Sequence, residues 1–412
     1  MKNTKIICTI GPACEDGRMI EKMAHSGMNC ARLNFSHGSY DEFAKIINLI
    51  RKVSKKQKKP IAIIADLQGP KIRVGAMPKN GITLKKNASI ILTTKKIVGN
   101  LEQIPVQYKE LPRDVAKHDR ILIDDGMIEL RVKRVYGTEI FCEVINSGVI
   151  FENKGINVPT ASIRANPITE KDKRDLFFSI EHDVDYVALS FVKSAKNIIE
   201  LRKLIKNHLA RSSNSRNASE GGNSLVHMGR TDNPTKIIAK IERHEAVDNL
   251  EEIVCEADAL MVARGDLGVE IAAATVPLIQ KRIIHLANIH GKPVIIATQI
   301  LQSMIENPRP TRAEISDAAN AIFDHCDALM LSGETATGKY PLEAAKTLAK
   351  VAESVEGDLK KHGGYIANRL FSNDMPAVFG TCFNGVKLAL DIGAKLIVTI
   401  THSGFTAEQT AK

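Results

Sequence analysis

The stretch TKIIAKIERH, residues 235–244, runs as an apolar β pattern and then sets Lys240 and Glu242 two positions apart. Side chains at i and i+2 of a strand share a face, so both charges point one way while Ile241 points the other. A buried ion pair is a poor device for stability alone, because desolvation offsets its attraction. A second carboxylate, Asp266 in ARGDLG, closes the next apolar run. Two carboxylates at neighbouring strand ends, with water and substrate oxygens completing an octahedron, suit Mg²⁺. Arg32 and Asn34 in CARLNFSHG form another i, i+2 pair, and Arg73 follows LQGPKI. Guanidinium groups near a metal point to phosphate, which arginine grips through two parallel hydrogen bonds. Gly265 and Gly268 flank Asp266 and let backbone N–H groups approach an anion at a helix start.

The elements that position these residues are legible as short Val-, Ile- and Ala-rich runs separated by helical periodicity, the pattern of βα units around a parallel sheet. Eight runs occur: 5–11, 28–35, 60–66, 186–192, 236–242, 259–265, 293–299 and 328–334. Eight predict a (β/α)8 barrel with its chemistry at the carboxyl ends of the strands. Asn34, Asp66, Glu242, Asp266, Thr298 and Glu334 all fall at such ends.

Residues 1–68 and 168–356 supply the barrel. Residues 69–167 have a different texture, with Ile128, Leu130 and Val132 alternating against Glu129, Arg131 and Lys133, and turn signals at DDG and YGTE; they predict a small inserted β-barrel domain acting as a lid. Residues 357–412 read as helix, strand and the start of another helix, an incomplete C-terminal α/β domain. Residues 209–234, rich in Ser, Asn and Gly, are expected to form a disordered loop.

Composition excludes several classes. The chain has 412 residues, 44% of them hydrophobic, enough for a large core. Seven scattered cysteines without a CxxC pair argue against a disulfide framework or structural zinc, and fit a reducing compartment. No signal-peptide pattern opens the sequence and no run of about 18 apolar residues occurs, so a soluble, cytoplasmic protein with no membrane partner is expected. The net charge of +10 is dispersed and aromatics are only 4%, which argues against nucleic acid. The densest basic cluster, RKVSKKQKKP at 51–60, sits where a helix should end and complements its dipole. GETATGKY fits GxxxxGK, but Tyr340 stands where a P-loop needs Ser or Thr, so Ser332 and Glu334 read as barrel-end polar residues instead.

Taken together, TKIICTIGPA, ARLNFSHG, ADLQGPKIR, IIAKIERHEAV, MVARGDLGVEI, ATQILQSM, NPRPTRAEISDAANA and MLSGETATGKYP closely resemble the pyruvate kinase family over almost the whole chain. The resemblance implies phosphoryl transfer from phosphoenolpyruvate to ADP, giving pyruvate and ATP. By it, Glu242 and Asp266 hold Mg²⁺ or Mn²⁺ and Lys240 neutralises the phosphoryl group in flight. Gly265 and Thr298 contact substrate, Thr298 with Ser332 and Glu334 behind it protonates the enolate carbon, and Arg32, Asn34, His37, Arg73 and Lys154 match nucleotide or phosphate contacts. A homotetramer is the expected assembly.

The same resemblance places a potassium site at Asn34, Ser36, Asp66 and the backbone of Leu67. Lys71 stands where potassium-dependent members carry Glu, so the potassium requirement is expected to be lost. Two other readings compete: a Mg²⁺-dependent lyase or aldolase stabilising a pyruvate enolate on the same barrel, and a non-catalytic protein using its basic surface.

Overall fold

The computed structural model describes residues 2–217, 235–361, 377–402 and 404–411. The chain opens with β1 (Lys5–Thr9), β2 (Met28–Asn34) and β3 (Ala62–Asp66), then runs through the inserted strands β4 (Ile82–Leu84), β5 (Ser89–Thr93), β6 (Gln103–Pro105), β7 (Arg120–Ile123), β8 (Ile128–Tyr136), β9 (Glu139–Val144), β10 (Gly148–Ile150) and β11 (Ile156–Asn157). It returns to the barrel as β12 (Tyr186–Leu189), β13 (Lys236–Ile241), β14 (Ala259–Ala263), β15 (Val294–Ala297) and β16 (Ala328–Leu331). The eight predicted runs are the eight staves of a closed parallel barrel, in which β3 pairs with β12 and β16 closes onto β1.

The period of two decides what lies inside. Ile7, Cys30, Ile64, Ala188, Ile238 and Met261 belong to the cluster that fills the barrel. Ile237, Ala239 and Ile241 pack outward against the helices, so β13 is buried on both faces. Two residues beyond Cys30, Ile64 and Ile238 come Arg32, Asp66 and Lys240, and the apolar plug therefore gives way to charge at the carboxyl end.

Helix starts follow local signals: Ser39 with Glu42, Thr169 with Asp172 and Thr311 with Glu314 each form a reciprocal capping box. The basic cluster at 51–60 ends helix Tyr40–Gln57, with Lys58 in the left-handed conformation as its cap.

In the insert, Ile128, Leu130 and Val132 are buried. Its six-stranded sheet has order β11-β7-β8-β9-β5-β6, with β4 and β10 as a separate ribbon. No ladder joins the edge strands β6 and β11. The segment Ile72–Gly75 lies between them instead, through single bridges Arg73 to Gly155 and Val74 to Val106 and bonds such as Gly75 N–H to Pro105 O at 2.7 Å.

Two expectations need correction. Residues 209–217 are not loop: helix Ala195–Asn217 continues through them, while 218–234 lie outside the described residues. Ile198, Leu201 and Ile205 anchor that helix in the core, and once nucleated it extends through Ser and Asn at a small cost per residue. Residues 396–400 do not form the expected strand between helices Ala377–Asp391 and Phe405–Ala411. Among the described residues no neighbour meets their backbone hydrogen bonds, and Leu396, Val398 and Ile400 stand exposed. No described helix is long and apolar enough to cross a membrane.

Candidate active site

The barrel mouth is built around Lys240. Its ammonium lies 2.8 Å from Glu242 Oε1 and 3.1 Å from Asp66 Oδ1, and donates to Ser190 Oγ at 2.9 Å. Asp66 Oδ2 accepts from Arg32 Nε at 2.7 Å, and Arg32 Nη1 donates to Thr9 Oγ1 at 3.1 Å. Glu242 Oε2 accepts the backbone N–H of Phe191 at 2.8 Å. Five staves of the barrel wall thus converge on one ion array, buried to 9% exposure at Lys240 and 2% at Glu242.

Burial by itself would lower the Lys240 ammonium, but Asp66 and Glu242 outweigh it and raise its pKa. Burial likewise pushes Asp66 upward, and Lys240 with Arg32 overcomes this and holds the carboxyl below its usual range. Glu242 is raised, first by burial and then by the nearby Asp266 charge, with Lys240 opposing.

Asp266 is not on a strand. β14 ends at Ala263 and the chain turns directly into helix Arg264–Glu270, so Asp266 sits in its first turn. Its carboxylate makes no hydrogen bond or ion pair among the described residues, and it lines the cleft between the barrel mouth and the insert, with Lys71, Asn157, Phe191, Lys193 and Arg243. Two carboxylates, Glu242 buried and Asp266 half-buried beside such a cleft, fit a divalent cation: oxygen donors, mixed burial and room for further oxygens.

Gly265 and Thr298 meet each other in this structure. The Gly265 N–H donates to Thr298 Oγ1 at 2.8 Å, and Thr298 Oγ1 donates to Ala297 O at 2.7 Å. Thr298 and Gln299 both have positive φ, 65° and 54°, a costly conformation for side-chain-bearing residues that turns the hydroxyl toward Gly265. Glu334 is fully buried, its oxygens accepting the N–H groups of Leu301 at 3.1 Å and Ser332 at 2.7 Å. Ser332 Oγ is buried with no hydrogen-bond partner among the described residues.

The phosphate-contact candidates divide between the two bodies. Asn34 ends β2, where its Oδ1 accepts from Ser36 N–H at 3.2 Å, and His37 is exposed just beyond. Arg73 and Lys154 are on the insert: Arg73 Nη1 donates to Asn153 O at 2.8 Å, and Lys154 pairs with Asp124 at 3.0 Å. Lys71 is exposed, its stem against Gly155, and is not joined to Asp66, Asn34 or Ser36. The Leu67 carbonyl accepts from Ser190 Oγ at 2.7 Å. The apparent P-loop is a one-turn helix, Gly333–Ala336, with Lys339 paired to Glu306 at the surface.

Ser190, Phe191 and Thr9 are parts of the array that the sequence reading omitted. A signal existed for two of them, since Thr9 and Ser190 are hydroxyl residues set inside the otherwise apolar first and fourth runs. The Phe191 contribution is a backbone N–H and leaves no trace in residue type.

The fold and this mouth define a (β/α)8 enzyme that gathers lysine, arginine and carboxylates at the strand ends beside an inserted β domain. The chain belongs to the pyruvate kinase family: the sequence pattern described as "Pyruvate kinase, barrel domain" matches residues 1–214 and 213–345. The chain is 42% identical over 417 residues to a pyruvate kinase of Clostridium perfringens, all of this chain and 83% of that one. It is 43% identical over 413 residues to pyruvate kinases of Geobacillus stearothermophilus and Thermotoga maritima, spanning 66% and 82% of their lengths. A solved pyruvate kinase from Cryptosporidium parvum superposes with a TM-score of 0.86 at 36% identity, over 99% of this chain and 80% of that one. Like these relatives, it is a phosphotransferase.

Proposed function

We propose that this chain transfers the phosphoryl group of phosphoenolpyruvate to ADP, yielding pyruvate and ATP. The observation that carries the reading is the buried Lys240–Glu242–Asp66–Arg32 array standing beside the unpartnered Asp266 carboxylate. A divalent cation, Mg²⁺ or Mn²⁺, held by Glu242 and Asp266, supplies positive charge to the oxygens of the phosphoryl donor.

Lys240 places a fixed ammonium where negative charge builds on the moving phosphoryl group, already oriented by three partners, so little reorganisation is needed during transfer. The bond from phosphorus to the enol oxygen breaks as a β-phosphate oxygen of ADP bonds to phosphorus. The enolate left behind takes one proton at carbon to become pyruvate. Thr298, whose hydroxyl accepts from the Gly265 N–H, helps deliver that proton, with Ser332 and Glu334, themselves joined through the Ser332 N–H, handing it on through water. Arg32 orients the phosphoryl oxygens, while Asn34, His37, Arg73 and Lys154 receive the nucleotide as residues 69–167 close over residues 1–68 and 168–356.

Independence from potassium belongs to the same reading: closure carries Lys71 toward Asn34, Ser36, Asp66 and Leu67, where its ammonium replaces the monovalent cation. So do a cytoplasmic location and a homotetramer, both resting on the family. Pyruvate formation from phosphoenolpyruvate, ADP and Mg²⁺ tests the proposal. A folded chain that forms none refutes it and favours the lyase alternative.

A further inference from the structure

The insert leaves the barrel after β3 and comes back through residues 158–168, and the two crossings are fastened differently. On the outgoing side, the Gly69 N–H donates to Asp172 Oδ1 at 3.1 Å. Gly69 has φ +66°, and a Cβ there would lie 2.7 Å from the Phe191 ring, so this crossing is a tight turn that only glycine fits.

The return segment is held by charge. The carbonyls of Ala161, Ile163 and Ala165 fall at alternate positions, and each accepts from a cation on the barrel rim. Lys193 Nζ donates to Ile163 O and, at 3.0 Å, to Ala165 O; Arg243 Nη2 reaches Ala161 O at 3.5 Å. Lys193 follows β12 and Arg243 follows β13, so two successive strand ends each set one cation under the same segment.

Arg243 is itself fixed. Glu245 Oε2 lies 2.8 Å from its Nε and Glu270 Oε2 lies 3.8 Å from its Nη2. Both carboxylates reach the insert with their other oxygen: Glu245 Oε1 accepts from Ser162 Oγ at 3.2 Å, and Glu270 Oε1 accepts from Asn157 Nδ2 at 3.0 Å. His244, Glu245 and Glu270 come close enough together to hold a metal ion. Arg243 already supplies the positive charge there, so the cluster is an ion-pair brace. Glu270 ends the helix that carries Asp266, and Arg243 is the residue after Glu242.

We propose that Lys193 and Arg243 are positioning residues that latch the return segment to the barrel rim and so set how the insert carries Arg73 and Lys154 over Glu242 and Asp266. The proposal rests on the phosphotransferase reading for its kinetic consequence and on geometry alone for the latch. The two residues act through backbone carbonyls of the return segment. Their loss therefore weakens nucleotide capture by the insert and leaves phosphoenolpyruvate binding in the barrel mouth unmoved.

The test uses the full chain with Lys193→Met, Arg243→Met and the conservative Lys193→Arg, followed by hydrogen–deuterium exchange across 156–168 and by kinetics with each substrate varied. Faster exchange in that segment is expected in both methionine variants. With it, KM for ADP rises about tenfold, as for loss of a charge-assisted hydrogen bond. KM for phosphoenolpyruvate stays put, and Lys193→Arg recovers most of the change. Unchanged exchange overturns the latch, whether or not the chain is active. Faster exchange with both KM values unchanged overturns the positioning role, and so does an equal fall in every kinetic parameter alongside a lower unfolding midpoint. A wild-type chain that forms no pyruvate fails the phosphotransferase reading separately, and exchange still decides the latch.

Discussion

The Lys240 ammonium lies 2.8 Å from the Glu242 carboxylate two positions along its own strand, and 3.1 Å from Asp66, whose strand is two places round the barrel. One lysine therefore balances two buried carboxylates from different parts of the wall. Replacing it removes a cation from a buried site and leaves charge behind.

Lys240→Met is expected to lower kcat by about 10²–10³, the usual result of removing one preorganised charge from a transition state. It also destabilises the fold by about 3–5 kcal/mol, because breaking a buried pair strands its partner. Initial rates and urea unfolding on the same preparation check both. Full activity in the methionine variant would remove Lys240 from the mechanism.

Glu242 and Asp266 should separate in their effects although both are assigned to the cation. Glu242 carries Lys240 and the Phe191 N–H, so Glu242→Ala loses activity and stability together. Asp266 has no such bonds among the described residues, so Asp266→Ala loses activity while its unfolding free energy stays within about 0.5 kcal/mol of wild type. Chelation abolishes activity and added Mg²⁺ restores it. Activity that survives chelation contradicts the assignment.

Lys71 decides the monovalent cation. Rates in sodium and in potassium buffers are expected to be equal for the wild type, and Lys71→Glu is expected to make potassium necessary. A wild type active only with potassium would show that the exposed Lys71 ammonium never reaches the Asp66 group.

Glu314 gives a pH signature away from the site. Its carboxylate accepts from Ser303 N–H at 2.7 Å, Ser303 Oγ at 2.5 Å, Thr311 N–H at 2.8 Å and Thr311 Oγ at 3.0 Å. Burial pushes its pKa up, and the Ser303 and Thr311 donors overcome that and depress it. A depressed carboxyl stabilises the fold above its unfolded pKa of about 4.3, and that contribution fades as pH falls through the lower folded value. Glu314→Gln is therefore less stable than wild type at neutral pH, with the gap closing below that window. A gap independent of pH in chemical denaturation would refute the charge as its origin.

Much of this was legible because a barrel strand buried on both faces must be apolar throughout, so a charge at its end stands out. The eight runs, the inward pairing of Lys240 with Glu242 and the charged ends at Arg32 and Asp66 all follow from a period of two. Local signals also marked helix starts, as Thr311 with Glu314 shows. The same local logic failed where context decides. Ser and Asn at 209–217 looked like loop but extend an anchored helix, and 396–400 looked like a strand but has no described partner to pair with.

The sequence by itself determined the staves, the residues on their inner faces and the family, since side-chain alternation and ordered motifs are properties of the chain read in one dimension. Tertiary structure alone decided which ends meet: that Asp66 shares Lys240 with Glu242, that the Phe191 backbone caps Glu242, and that Lys193 and Arg243 grip the returning insert. Such contacts join residues 28 to 174 positions apart through barrel closure and backbone groups. Residue type does not encode those groups, and only closure of the barrel brings such distant ends together.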